Sequence, residues 1–186
     1  MGAPNRGHLV VVEHETDAGL GRMASHLAGY RVTMVRPAAG DAMPPIGCID
    51  GIVILGGSMG AYEEHTRPWL VAEKAWSVAA VEADVPVLGI CLGSQLLADA
   101  LGGRAFRSER RLEAGVLALH LTEAGAADPV LSHAGDRAFA MHGDTFDLPP
   151  DATLLARTDD YHAAFRLGSA LAMQFHPETR AETAIG

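Results

Sequence analysis

The segment Val87-Leu88-Gly89-Ile90-Cys91-Leu92-Gly93-Ser94-Gln95 constrains this chain more than any other. An apolar run is broken by Gly-x-Cys-x-Gly and passes into a helical pattern, which reads as strand, sharp turn, helix. Glycines on both sides of the cysteine let the backbone bend tightly around it, a nucleophile elbow with sulfur in place of a serine oxygen. Such a turn puts Cys91 at the top of a sheet and at the N-terminus of the next helix, where the dipole favours a thiolate.

The rest of the first half alternates in the same way. Residues 9–13, 30–35, 51–55 and 85–90 are short continuous apolar runs, as expected of strands covered on both faces. Residues 21–29, 68–83 and 92–101 carry helical patterns. Pro68 stands near the first turn of the second helix and Gly102-Gly103 stops the third. Leu70, Ala75, Val78 and Val81 make an approximate apolar stripe on the long helix. After Gly103 the pattern changes. Residues 112–121, 137–141, 153–157, 163–167 and 171–175 are short strand-like runs between turn residues. The expected fold is therefore α/β and three-layered, with a mostly parallel central sheet, helices on both faces and a small antiparallel extension. Ligands in open α/β sheets bind beyond the carboxyl ends of the strands, where both Cys91 and Gly57 fall.

One domain over residues 1–186 is long enough for a substantial core. The net charge of −9 argues against a nucleic-acid partner. No apolar stretch is long enough for a membrane helix, and Met1 to Gly7 lacks the apolar core of a signal peptide. With only Cys48 and Cys91, a reduced cytoplasm without a disulfide framework is expected. Cys48, just before a strand, reads as a buried structural cysteine. Arg104, Arg107, Arg110 and Arg111 flank Glu109 and Glu113, which suggests a solvated, ion-paired connection rather than a phosphate site. His14, His26, His65, His120, His133 and His162 have no metal-ligand spacing, and no cofactor is indicated.

A nucleophilic thiol needs a base, and the base needs an orienting acceptor. Met173-Gln174-Phe175-His176-Pro177-Glu178 supplies a histidine and a carboxylate two residues apart. Cys91, His176 and Glu178 form the expected nucleophile, base and orienting group.

These two segments together resemble the class I, or triad, glutamine amidotransferases. Ile54-Leu55-Gly56-Gly57-Ser58-Met59-Gly60-Ala61-Tyr62 is similar to that family's glycine-rich oxyanion strand end. Met141-His142-Gly143-Asp144-Thr145-Phe146-Asp147-Leu148-Pro149 is similar to the His-Gly-Asp segment of its stand-alone, GMP-synthetase-like branch. The resemblance runs from about residue 9 to residue 178 and implies a flavodoxin-like fold. It also implies attack of Cys91 on the γ-amide of glutamine, with the N–H groups of Gly57 and Leu92 as oxyanion donors. Gly56, Gln95, Met141, His142, Gly143 and Asp144 would then line the substrate site. The chain departs from the branch at Ser94, where histidine is usual, and at Met141, where tryptophan is common. It also ends eight residues after Glu178, sooner than stand-alone relatives do, so a closing helix is expected to be missing.

Three functions fit these residues. The first is a glutamine amidotransferase that hydrolyses glutamine and passes ammonia to a separate synthetase. The second is a free-standing γ-glutamyl hydrolase or peptidase with the same triad. The third is a non-catalytic regulatory module.

Overall fold

The computed structural model describes residues 6–179. The expectations about a leader before Arg6 and about the chain end after Thr179 lie outside the described residues. In chain order the first half runs β1 (His8–Val12), β2 (Arg31–Val35), β3 (Gly51–Ile54), α1 (Trp69–Glu82), β4 (Val87–Ile90) and α2 (Leu92–Ala100). The second half runs β5 (Arg104–Arg107), β6 (Glu113–Ala118), β7 (His120–Leu121), α3 (Glu123–Ala127), β8 (Arg137–His142), β9 (Asp144–Asp147), β10 (Thr153–Arg157), β11 (His162–Leu167) and β12 (Ala170–Met173).

One sheet takes eight of these strands in the order β2-β1-β3-β4-β12-β11-β10-β7. The pairs from β2 to β12 are parallel, and those from β12 to β7 are antiparallel. Two short antiparallel ladders, β5 with β9 and β6 with β8, lie outside it. The alternation of side chains along each strand divides the core. Val10, Val12, Ile52 and Ile54 pack on one side with Leu70, Ala80, Leu92 and Leu96 of α1 and α2. Val11, Val53, Leu55 and Ile90 pack on the other with Met23 and Leu27. The antiparallel half has its own cluster, in which Leu155, Leu171 and Met173 meet Leu131 and Ala124.

Several expectations change in detail. Residues 21–29 hold a 3-10 helix, Gly21–Leu27, rather than an α-helix, a short glycine-bounded piece of the kind that favours the tighter turn. Thus α1 and α2 share one face, and this 3-10 helix covers part of the other. On α1 the buried positions are Leu70, Glu73, Lys74, Ser77 and Ala80, whereas Ala75 is exposed. The apolar stripe fails because charge pairing decides the face: Glu73 meets His14, and Lys74 meets Glu64 and Asp99. Cys48 is exposed at the end of the 3-10 helix Ile46–Cys48, because the turn after Pro44-Pro45 keeps it outside β3. The arginine cluster is ion-paired, but with Asp147, Asp144 and Asp160 rather than Glu109 and Glu113.

The largest change concerns residues 171–175, expected in the antiparallel extension. β12 instead sits inside the main sheet, parallel to β4, with Ala170 opposite Val87 and Met173 opposite Ile90. All four of its residues are buried. A strand with no polar face needs a place with neighbours on both edges and cover on both sides. Among the described residues, no helix is long and apolar enough to cross a membrane.

Close backbone approach seats α2 on this sheet. A Cβ at Gly93 would lie 2.2 Å from the Ile54 carbonyl oxygen, and one at Gly89 would lie 2.5 Å from the Gly93 carbonyl oxygen. Gly93→Ala should therefore cost about 1–3 kcal/mol in urea unfolding, as overpacked core sites do. Gly47→Ala, with nothing within 4 Å of the added Cβ, should stay within about 0.5 kcal/mol of the parent.

Candidate active site

Cys91 carries the strain of the elbow. Its φ is 52° and ψ is −108°, a conformation that L-residues avoid. The glycines beside it are needed for space, not for positive φ, and the cysteine itself adopts the unfavourable angles. Such a residue costs on the order of 1–3 kcal/mol and persists only when its surroundings over-determine it. Here its N–H donates to the Met173 carbonyl at 2.8 Å. Its carbonyl accepts from the Ser94 hydroxyl at 2.6 Å and from the N–H groups of Ser94 and Gln95. Ser94 is thus a buried helix-start anchor at this position.

His176 follows β12 and therefore reaches the same edge of the sheet as Cys91. Its N–H donates to the Phe139 carbonyl on β8 at 2.8 Å. Its Nδ1–H donates to Glu178 Oε1 at 2.7 Å. Glu178 is 8% exposed and is held in turn by the start of the 3-10 helix. The Arg22 N–H donates to its carbonyl at 2.9 Å, and a Cβ on Gly21 would lie 2.2 Å from that oxygen. Gly56 lies beside both remaining groups, since a Cβ there would be 3.6 Å from Cys91 Cβ and 3.6 Å from His176 Cε1. Burial alone would push the His176 pKa down, but hydrogen bonding and charge from Cys91 and Glu178 raise it to about 10.

Two backbone donors flank the contact between Gly56 and Cys91, that of Gly57, next to Gly56, and that of Leu92, next to Cys91. Among the described residues, neither the Gly57 N–H nor the Leu92 N–H has an acceptor. The two residues touch, because a Cβ on Gly57 would lie 2.9 Å from Leu92 Cδ2.

The segment of residues 141–144 passes over the sulfur. Cys91 Sγ lies 3.9 Å from the Met141 carbonyl oxygen, while the Met141 side chain is exposed. His142 is buried, with Nε2 at 3.0 Å from Glu113 Oε2 and Nδ1 at 2.9 Å from the Asp144 carbonyl. Both ring nitrogens are therefore occupied. Gln95 donates to the Asp144 carbonyl at 3.1 Å and to Gln174 Oε1 at 3.2 Å, tying α2 to this segment. Gly143 has Arg107 and Leu112 beside it, and the Asp144 carboxylate accepts from the Tyr62 hydroxyl at 3.1 Å.

The family model for class I glutamine amidotransferases matches residues 22–184. The chain is 34% identical to the glutamine amidotransferase-like protein YfeJ of Salmonella typhimurium over 83% of its own length and 66% of that protein's. It is 33% identical to one subunit of the glutamine-hydrolysing GMP synthase of Halobacterium salinarum, over 94% of this chain and 85% of that one. The crystal structure of a glutamine amidotransferase from Thermotoga maritima superposes with a TM-score of 0.88 at 32% identity, covering 95% of this chain and 78% of that one. The chain belongs to the class I glutamine amidotransferases. It spans about a quarter of the length of the longer GMP synthases that it also matches.

Within this family member the structure brings together Cys91, His176, Glu178, Gly56, Gly57, Leu92 and residues 141–144. Sequence alone gives no role to Gly21, which carries no chemistry, or to Tyr62 and Arg107, whose nearness to Asp144 depends on tertiary placement. It gives none to His14 either, which has no partner nearby in sequence; Glu73, its partner in space, is on another element.

The charged form of His176 should persist far into the alkaline range. Because its pKa is raised, its contribution to stability is complete below the ordinary value of 6.5 and is lost as pH rises through about 10. Following the ring proton by NMR should give a midpoint near pH 10. In Cys91→Ala and in Glu178→Gln the midpoint should fall, since each removes a group that raises it.

Proposed function

We propose that this chain hydrolyses the γ-amide of glutamine through a Cys91–His176–Glu178 triad and delivers ammonia to a separate acceptor enzyme. One observation carries the reading: an imidazole held by Glu178 at 2.7 Å and the strained Cys91 flank the same glycine, Gly56. Kinship with a protein that is itself one subunit of a GMP synthase supports the separate acceptor.

The steps follow from which groups are free. Glu178 occupies Nδ1 of His176, which leaves Nε2 for the thiol and the substrate. Cys91 Sγ attacks the γ-carbonyl carbon, a C–S bond forms, and the carbonyl electrons move onto oxygen. The vacant N–H groups of Gly57 and Leu92 receive that oxyanion. His176, which has taken the thiol proton, gives it to the amide nitrogen as the C–N bond breaks and ammonia leaves. Water then adds to the γ-glutamyl thioester and gives a proton to His176. The C–S bond breaks, glutamate departs and the thiol is restored. General acid–base help of this kind is worth roughly 10²–10⁴-fold, and an oxyanion donor about 10²–10³-fold.

The substrate would lie along residues 141–144, against Gly56 and Gln95. Gly143 allows close approach of the backbone, and the Asp144 carboxylate is the nearest anion for an α-amino group. Met141 contributes its carbonyl, and the buried ring of His142 holds the turn in shape. A cytoplasmic location goes with ammonia transfer to a synthetase, and the chemistry requires no cofactor.

Glutamate release from glutamine by the purified chain tests the reading, with Cys91→Ala as control and mass mapping of a glutamine-analogue electrophile. The expected result is release that falls to background in the variant, with label on Cys91 and not on the exposed Cys48. Label on Cys91 without release would shift the reading to another γ-glutamyl amide or to a partner-dependent enzyme. Absence of both label and release would overturn it.

A further inference from the structure

His14 and Glu73 form an ion pair whose side chains are both 0% exposed. His14 follows β1, and Glu73 is on the second turn of α1. The imidazole Nε2 lies 3.0 and 3.2 Å from the two Glu73 oxygens, and Nδ1 lies 3.2 Å from the Gly56 carbonyl oxygen. Both ring nitrogens face acceptors, an arrangement that favours the doubly protonated ring. Burial alone would lower the pKa of this ring, but the Glu73 carboxylate and the Gly56 and Leu55 carbonyls outweigh it and hold the pKa above the ordinary value. Trp69 stacks on the ring at 5.7 Å with an interplanar angle of 27°. Taking two charges out of water is expensive, and a buried pair of this kind adds little net stability over apolar residues of the same size. Stability of the fold therefore does not explain it.

What the pair touches does explain it. The peptide between Gly56 and Gly57 is planar and trans, so the Gly56 carbonyl and the Gly57 N–H point in opposite directions. Neither flanking residue has a side chain to stop that plane from turning over. A hydrogen bond that holds the carbonyl on one side fixes the N–H on the other. The next peptide is held too, since the Ser58 N–H donates to Glu15 Oε2 at 2.9 Å. Adjacent residues, His14 and Glu15, thus grip an acceptor just before Gly57 and a donor just after it. The Gly57 N–H is the group left without an acceptor among the described residues.

The geometry points to His14, backed by Glu73, as a positioning residue that sets the Gly56–Gly57 peptide plane and so aims the Gly57 N–H at the oxyanion of the γ-glutamyl intermediate. This inference rests on the proposed triad chemistry. It predicts that the His14 donor to Gly56 matters more than the ring's bulk or charge.

Two double variants separate these properties. His14→Asn with Glu73→Gln keeps an N–H donor near the Nδ1 position. His14→Gln with Glu73→Gln moves the donor to the Nε2 position and leaves Gly56 without one. Both remove the charges, and neither leaves a buried carboxylate unpaired. The readouts are kcat and KM for glutamine, the affinity of an aldehyde analogue of glutamine, and the rate of Cys91 alkylation by iodoacetamide. The aldehyde adds Cys91 Sγ to its carbonyl carbon and forms an oxyanion, so it reads the donors even without turnover. Iodoacetamide reads the thiolate alone.

The glutamine-bearing variant should lose about ten- to a hundredfold in kcat and in aldehyde affinity, somewhat less than deletion of a donor costs. Its KM and alkylation rate should stay within about twofold of the parent. The asparagine-bearing variant should recover most of the loss. Equal losses in the two variants, or no loss in either, would overturn the inference while leaving the triad standing. A parent chain that neither alkylates at Cys91 nor binds the aldehyde would overturn both. If a variant fails to fold, the parent still decides by NMR. The His14 Nδ1 proton should exchange slowly, and exchange as fast as that of an exposed histidine would overturn the inference.

Discussion

Everything at the reactive edge depends on how closely α2 approaches β3 and β4. Gly93 meets the Ile54 carbonyl, and Gly89 meets the Gly93 backbone, at separations no side chain permits. With that contact made, the chain turns from strand to helix at Cys91, which takes a positive φ. Its N–H and carbonyl are both bound there, so the strain cannot relax by a small rotation. Packing of apolar residues behind the turn supplies the energy, and hydrogen bonds at the turn supply the direction.

The position of β12 turns a strained cysteine into half of a pair. Because β12 runs parallel to β4 and next to it, residues just past the two strands emerge at the same edge. His176 needs no long loop to reach the thiol. Around this edge the chain buries polar groups in linked sets rather than singly: His142 with Glu113, Gln95 with Gln174, and His14 with Glu73. Each set spans two elements that are distant in sequence. Buried polar groups linked in this way specify a particular arrangement where apolar contacts would tolerate several.

Much of this was legible in the residues because it is written in local pattern. The run from Val87 to Gln95 shows strand, turn and helix within nine residues, and the His-x-Glu spacing places an acceptor beside the imidazole. What stayed hidden depends on partners remote in sequence. The face of α1 could not be read from its apolar residues, since Glu73 and Lys74 are buried by carboxylate and imidazole groups on other elements. β12 is an apolar run that suits either kind of neighbour, and only the shape of the whole sheet places it beside β4. β5 and β9 were obscured because their residues also carry charge or belong to a recognisable loop.

The same strand order has a consequence in time. Strands β1 to β4 and helix α2 are made first, but the Met173 carbonyl that holds the Cys91 N–H belongs to β12. A growing polypeptide at that stage lacks both that acceptor and the imidazole of His176. The hairpins of β10, β11 and β12 are local in sequence, but the pairing of β12 with β4 closes a long loop, a slow step by its nature. Cys91 and His176 therefore meet late, when the last strand enters the gap at the sheet's centre. A half-finished molecule on the ribosome would carry Cys91 without the base proposed for it.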